Sequence, residues 1–331
     1  MKVVIAARGW SHPGVSTYAY ADSVLGSLTS IGVETRRMVM PDHRGIRMGG
    51  LVIPWMEGRF RRYCVEPGVV IHHVEHAVRR GADVATIHDC YPFYDHRMAD
   101  VFLRSEMRRT MRVTRRLVVT TDFTRREMMR CDPIREDKVR VIPIPFSAPA
   151  PGRMEPKYDG LWIGRHAPNK RFDQFVRLAW DFPALRFAVR LSRSPGRSAL
   201  SGDYLDALRR AEFLQLIESL PYMDRDGLDV TYRSSKVLVV TSDYEGFHIP
   251  AMEAYLRGTR LVLPHIEPFV SLYGNAVGVH WYDGSDPDLR EVFAKAVGSG
   301  PFVPSSSVSD AVSYPIVGAA LRAVYEEVAR R

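Results

Sequence analysis

The sequence predicts an α/β protein of two doubly wound domains, and three observations carry that reading. Short apolar runs of strand length alternate with helix-length stretches, first over residues 1–145 and again from Gly160 onward. Four prolines fall within residues 143–152, a composition that continues neither a helix nor a central strand and so marks a linker. A chain of 331 residues also exceeds what one ordinary core organises. The expected boundaries are 1–145 for the first domain, 146–156 for the linker and 157–331 for the second.

Composition narrows the class. Hydrophobic content of 46% and charged content of 25% are those of a soluble globular protein. The three cysteines, Cys64, Cys90 and Cys131, fit no disulfide framework or metal spacing, so a reducing, cytoplasmic setting is expected. Residues 1–7 are apolar too briefly for a signal peptide, and no run reaches the ~18 apolar residues a membrane helix needs. Residues 1–150 hold 24 of the 46 Lys and Arg but 16 of the 38 Asp and Glu, which leaves 22 of each sign in the remainder. The whole excess of +8 lies in the first half. It suits an anionic partner such as an inner-membrane surface, a lipid-phosphate acceptor or nucleic acid. It suits equally an arginine-rich chain with no such partner, since only six of the 46 basic residues are lysine.

The elements of the first domain follow in order. Lys2–Ala7 reads as a strand and residues 15–29 as a helix, with a glycine-bearing loop ending at Gly14 that offers backbone N–H groups to an anion. Leu51, Val52 and Ile53 precede Trp55, Arg59, Arg61 and Arg62, read as a strand and charged turn or as an acceptor or membrane contact. Residues 83–88 form a strand that delivers His88 and Asp89 to its ligand-facing end. Residues 101–117 read as a helix with Leu103, Met107 and Met111 on one face and Arg104, Arg108, Arg112 and Arg116 on another. A strand over 118–121, a helix capped by Thr121 or Asp122, and a strand over 139–143 close the domain.

The second domain opens with a strand ending at Gly164 and Arg165, then Lys170 and a helix through Ala179. Residues 186–191 are a strand, 204–216 a helix, and Leu220, Pro221, Tyr222 and Met223 a loop. The most informative stretch is 236–258. A β-branched run ends at Val240, and a polar loop holds Glu245, Gly246, Phe247 and His248. Pro250 then starts a helix that ends at Gly258. Glu253 is expected in the first helical turn, its charge favoured by the helix dipole. Two fixed carboxylates suit sugar hydroxyls, although solvated glutamates on an ordinary loop and helix would read the same way. Strands at 261–263 and 279–282, a loop ending near Ser271, and helices over 288–298 and 315–331 complete the chain. Asp224 and Asp226 sit in a polar turn and Asp286 and Asp288 flank a proline, so neither pair reads as a metal motif.

Glu245, Gly246 and Phe247, then Met252, Glu253 and Ala254, then Gly258, Thr259 and the 261–263 strand resemble the signature of the retaining GT-B glycosyltransferases of family 4. Arg165 and Lys170 are similar to that family's diphosphate grip. The resemblance implies two Rossmann-like domains facing each other across a cleft, with the C-terminal helix returning to the first. It implies a metal-independent, retaining hexosyltransferase with no cofactor and a UDP-, GDP- or ADP-sugar as donor. In that reading Gly14 and Gly164 approach the donor and Arg165 and Lys170 stabilise the departing diphosphate. The loop of Tyr222 lies at the base, Glu253 takes the ribose, and Glu245 with the Gly246, Phe247 and His248 region takes the sugar. His88 lies near the transferred sugar. The acceptor would be a glycan, a lipid-linked or a small molecule. A glycosyltransferase modifying nucleic-acid bases and a catalytically silent GT-B binding protein are the alternatives.

Overall fold

The computed structural model describes residues 1–7, 10, 16–40, 45–48, 51–54, 68–75, 82–94, 98–149, 152, 154–165, 167–192, 209 and 215–330. The chain divides into two compact units, Met1–Ser147 with Ala311–Arg331, and Ala148–Asp310.

The first unit is built on a six-stranded parallel sheet. Its strands are β1 (Lys2–Ala7), β2 (Glu34–Val39), β5 (Val69–His73), β6 (Val84–Ile87), β7 (Arg116–Val119) and β8 (Val139–Val141), in the order β2-β1-β5-β6-β7-β8. The central strands are buried and largely apolar because helices cover both faces of such a sheet, the buried exceptions being His72 and His73 of β5 and Thr86 of β6. The apolar patch at Leu51 is the second strand of a separate antiparallel hairpin, β3 (Gly45–Met48) with β4 (Leu51–Pro54), and not a strand of the sheet. Trp55, Arg59, Arg61 and Arg62 lie outside the described residues, as does Gly14.

Helix α1 (Ser16–Ser30) packs against the C-terminal helix, here α10 (Tyr314–Ala329), within this unit. Glycines permit the approach: a Cβ on Gly318 would stand 2.5 Å from the Ser27 carbonyl oxygen, and one on Gly26 would stand 2.8 Å from the Tyr314 ring. A buried polar chain joins four of the elements. The His72 ring meets the Tyr325 hydroxyl at 2.7 Å through Nδ1 and Thr86 Oγ1 at 2.8 Å through Nε2, and Thr86 in turn meets the Tyr20 hydroxyl at 3.0 Å. Burial, with smaller contributions from His73 and His88, holds His72 neutral by lowering its pKa to about 3.

The expected basic helix is α2 (Met98–Val113), with Met107 and Met111 fully buried. Arg116 does not extend its charged stripe. The Thr114 hydroxyl turns back to the Thr110 carbonyl at 2.8 Å and the apolar run beyond it becomes β7, so Arg116 is a strand residue paired with Glu327 at 2.8 Å. Arg112 is paired with Asp132 at 2.8 Å, and Arg108 lies over the Phe93 ring. Thr121 caps α3 (Asp122–Cys131) by accepting from the Thr124 amide.

The second unit repeats the plan with β9 (Tyr158–Arg165), β10 (Phe187–Ser192), β11 (Ile217–Ser219), β12 (Ser235–Val239), β13 (Arg260–Pro264) and β14 (Val279–Tyr282), all parallel in the order β11-β10-β9-β12-β13-β14. Its core gathers Trp162, Phe175, Phe187, Val239 and Phe293 between the sheet, α4 (Phe172–Asp181) and α8 (Asp286–Gly298). Two expectations are corrected. Asp224 is not in a free turn but caps α5 (Arg225–Arg233), accepting from the Gly227 amide at 2.9 Å. The segment read as a loop to Ser271 holds α7 (Glu267–Tyr273), with Pro268 in its first turn. The helix expected over 204–216 lies outside the described residues apart from Arg209, Gln215 and Leu216.

The chain leaves β9 for β10 and β11 on one side and returns to β12 on the other. The order therefore reverses between β9 and β12, and the carboxyl ends of those two strands define the crevice where such sheets bind ligands.

Candidate functional site

Both strands at this reversal end in residues singled out from the sequence. β9 ends in Gly164 and Arg165, and the short turn Pro168–Lys170 follows; beyond β12 comes the loop that carries Glu245. Backbone and side-chain bonds join the two loops. The Asp243 amide donates to the Asn169 carbonyl at 3.0 Å, Asn169 Nδ2 donates to the Tyr244 carbonyl at 3.0 Å, and the Thr241 hydroxyl donates to the Lys170 carbonyl at 2.6 Å. Trp162 reaches Thr241 Oγ1 with its indole N–H at 3.2 Å, and the same ring explains Gly164, where a Cβ would stand 2.8 Å from it.

At the centre Lys170 Nζ donates to Glu245 Oε1. The two side chains are 13% and 8% exposed, so this is a buried ion pair. Burial raises the Glu245 pKa, but the Lys170 ammonium, His248 and a Ser242 hydrogen bond more than offset it, and the carboxyl titrates below its ordinary value. His248 Nε2 stands 3.7 Å from Glu245 Oε1. Burial keeps the imidazole neutral by lowering its pKa to about 4, with Lys170 acting in the same direction against the pull of Glu245. Arg165 is exposed and makes no ion pair with a described residue. Gly246 and Phe247 are buried in the loop between.

Glu253 stands in α6 (Ile249–Leu256), but not in its first turn. The helix is capped at His248, and no acidic residue falls in the opening turn, so the dipole is not what governs this carboxylate. Burial raises its pKa above the ordinary value, and a 2.9 Å hydrogen bond from the Tyr232 hydroxyl together with Arg257, Arg225 and Arg190 only partly counters that. Arg257 donates to the Glu253 carbonyl at 2.9 Å and to Asp229 at 2.6 Å, which holds the helix against α5. Arg190, from the centre of β10, places its guanidinium over the Tyr222 ring at 5.4 Å; Tyr222 is 65% exposed. Arg190 and Tyr232 were not singled out from the sequence. An arginine inside the apolar run of β10 was the available signal for the first, and nothing in the pattern marks the second.

His88 belongs to the first unit and is described there by itself. Its Nε2 lies 2.8 Å from the Val74 carbonyl, which only accepts, so this nitrogen carries the proton. Its ring meets Tyr20 edge-on at 4.7 Å, and burial lowers its pKa. Asp89 accepts from the Tyr91 amide at 3.0 Å and shapes its own loop. Among the described residues no group of three or more His, Cys, Asp or Glu side chains is arranged to hold a metal ion, and no helix is long and apolar enough to cross a membrane.

A sequence model described as Glycosyltransferase Family 4 matches residues 2–146. The matched segment spans the six strands of the first sheet. A D-inositol 3-phosphate glycosyltransferase of Kineococcus radiotolerans is 30% identical over 168 residues, covering 44% of this chain and 39% of that protein. The chain therefore matches about two-fifths of that relative's length. Among solved structures, a sucrose-phosphate synthase of Thermosynechococcus elongatus superposes with a TM-score of 0.67 at 13% identity, covering 100% of this chain and 96% of that one. Anabaena HepE, solved with UDP and glucose, superposes at 0.65 with 11% identity and 100% and 98% coverage. At such identities the likeness is one of fold, and with the two parallel sheets it gives the chain the two-domain, Rossmann-like GT-B fold.

Proposed function

We propose that the chain transfers a hexose from a nucleotide-diphosphate sugar to an acceptor hydroxyl, with retention of configuration and without a metal ion. The observation that carries this reading is the buried Lys170–Glu245 pair at the strand reversal of the second sheet, flanked by the exposed Arg165. A leaving diphosphate accumulates negative charge, and preorganised cations at that point stabilise it most when water is excluded. Lys170 and Arg165 are two such cations. Glu245 is the carboxylate that orients the sugar hydroxyls, and Glu253, fixed by Tyr232, is the acceptor for the ribose hydroxyls.

The raised pKa of Glu253 fits that assignment, because a buried carboxyl with one donor has lone pairs left for two more. The acceptor attacks from the face the diphosphate leaves, and a departing phosphate oxygen takes its proton. HepE, solved with UDP and glucose, supports the donor class, and the family 4 match in the first unit supports sugar transfer.

The test is calorimetric titration of the protein with UDP-, GDP- and ADP-sugars, with and without EDTA, beside Lys170→Ala and Glu253→Ala. One nucleotide should bind wild type in EDTA and bind neither variant, and the anomer of the product then reports retention. Binding of no nucleotide, or binding abolished by EDTA, counts against the reading.

A further inference from the structure

His248 adopts φ 69° and ψ 80°, the left-handed region that side chains other than glycine rarely occupy. Among the described residues only Arg171, Gln215 and His248 do so without being glycine. A glycine would have taken this conformation without strain, so the imidazole itself is the thing to be explained. Both of its nitrogens are directed. Nδ1 accepts the Ala251 amide at 3.1 Å and caps α6, which makes Nε2 the nitrogen that bears the proton in the neutral ring. Nε2 faces Glu245 Oε1 at 3.7 Å, the same oxygen that Lys170 holds. The ring is fixed from its other side by Phe269 of α7, edge-on at 6.0 Å. The charged groups around it are Glu245 on its own loop and Lys170 from the turn after β9.

One buried carboxylate thus has Lys170 and Ser242 as hydrogen-bond donors, with the His248 Nε2–H 3.7 Å away and within a small shift of the oxygen that Lys170 holds. In the proposed reaction Lys170 serves the diphosphate, and a buried Glu245 that loses its cation and keeps only the Ser242 hydrogen bond would be costly. We propose that His248 is a positioning residue: with Nδ1 committed to the helix cap, its Nε2–H takes over the Glu245 carboxylate when Lys170 turns to the donor diphosphate. This rests on the donor-site reading above. As Lys170 withdraws, the ring loses its neighbouring cation and keeps its neighbouring anion, so it becomes a better proton acceptor in the donor complex.

Two measurements test this, one of them independent of turnover. In ring-15N-labelled protein, with His248 assigned by difference from His248→Asn, wild type should show the Nε2–H tautomer. In Lys170→Met the His248 titration should move upward, by a pH unit or more. The Nδ1–H tautomer, or an unmoved titration in Lys170→Met, overturns the proposal. The second measurement is kinetic. His248→Asn tolerates the left-handed backbone and keeps a cap acceptor, but places no donor at the Nε2 position. It should melt within about 2 °C of wild type and keep the KM for the nucleotide sugar, while kcat falls about 10-fold through loss of orientation. An unchanged kcat overturns the proposal while leaving the donor site standing. If wild type turns over no nucleotide sugar, the donor-site reading fails, and the titration in Lys170→Met still decides whether His248 and Lys170 share Glu245.

Discussion

Thr241 donates its hydroxyl to the carbonyl oxygen of Lys170 over 2.6 Å while accepting the Trp162 indole N–H at 3.2 Å. One buried hydroxyl thus ties the loop beyond β12 to the turn beyond β9, and both carry the residues of the proposed donor site. Thr241→Val keeps the shape and removes both bonds, orphaning a buried N–H and a buried carbonyl. The expected cost is about 2–4 kcal/mol, the sum of two unsatisfied groups, read from urea denaturation. A loss of kcat/KM should accompany it, because the Lys170 carbonyl then loses its own tie to the loop of Glu245. Full stability in this variant would mean that the Asn169 bonds to Asp243 and Tyr244 suffice to hold the two loops.

The Lys170–Glu245 pair makes a prediction about stability that is separable from catalysis. Breaking a buried pair from one side leaves a charge without a partner, so Glu245→Gln and Lys170→Met should each destabilise by about 3–5 kcal/mol. The double variant removes both charges and should recover most of that loss, since the pair as a whole is close to neutral for folding. Activity should not recover: each variant and the double should lose about 100-fold or more in kcat, as when one transition-state donor is removed. Denaturation midpoints and initial rates on the same four proteins test both halves. Additive destabilisation would show that the two residues do not act as a pair.

Much of this site was legible in the sequence, and what was not has physical causes. β1, β9, β12 and β13 each contain an uninterrupted apolar run of three or more residues, and a strand buried on both faces needs little else. β5 carries the same pattern in Val69, Val70 and Ile71, but His72 and His73 end it with residues usually assigned to loops; burial and hydrogen bonds to Tyr325 and Thr86 bring His72 into the core. Helix α5 was hidden because Asp224 reads as a turn residue when its capping bond to Gly227 is not in view. Glu253 was placed one turn too early because the helix start depends on a left-handed histidine, which no spacing rule anticipates. Arg190 left one signal, an arginine inside an apolar run, which is weak in a chain so rich in arginine; the fold shows that this one is buried.

Buried histidines lower the stability in acid, His88 by direction and His248 and His72 over a definable window. The pKa of His248 is lowered to about 4 and that of His72 to about 3, against about 6.5 when unfolded. Both groups are depressed, so between those values the unfolded chain binds protons that the folded chain does not, and stability falls as pH falls. The window opens near pH 6.5 and runs to about pH 4 for His248 and about pH 3 for His72. Within it each histidine contributes a slope of about 1.4 kcal/mol per pH unit. Glu245, also depressed, adds its loss at lower pH, below the ordinary carboxylate range. Denaturation free energies measured from pH 7.5 to 4.5 should therefore decline, and His248→Asn should flatten the decline. An unchanged slope in that variant would show that His248 is protonated in the folded protein.

The close approach of α1 and α10 in the first unit predicts opposite outcomes for one substitution at two sites. Gly318 lies in α10 where a Cβ would stand 2.5 Å from the Ser27 carbonyl oxygen and 3.1 Å from its carbon. Backbone cannot rotate aside as a side chain can, so Gly318→Ala has to part the helices and should cost about 1–3 kcal/mol, as overpacking does. Gly298, the last residue of α8, has nothing within 4 Å of its added Cβ and no left-handed φ. There the same change only restricts the unfolded chain and should stabilise by about 0.4–1 kcal/mol. Thermal or urea midpoints of the two alanine variants against wild type measure both signs. If Gly318→Ala were as stable as wild type, α10 would not be packed against α1 in solution. The bond from Tyr325 to His72 would then be in doubt as well, since Tyr325 lies on the same helix two turns beyond Gly318.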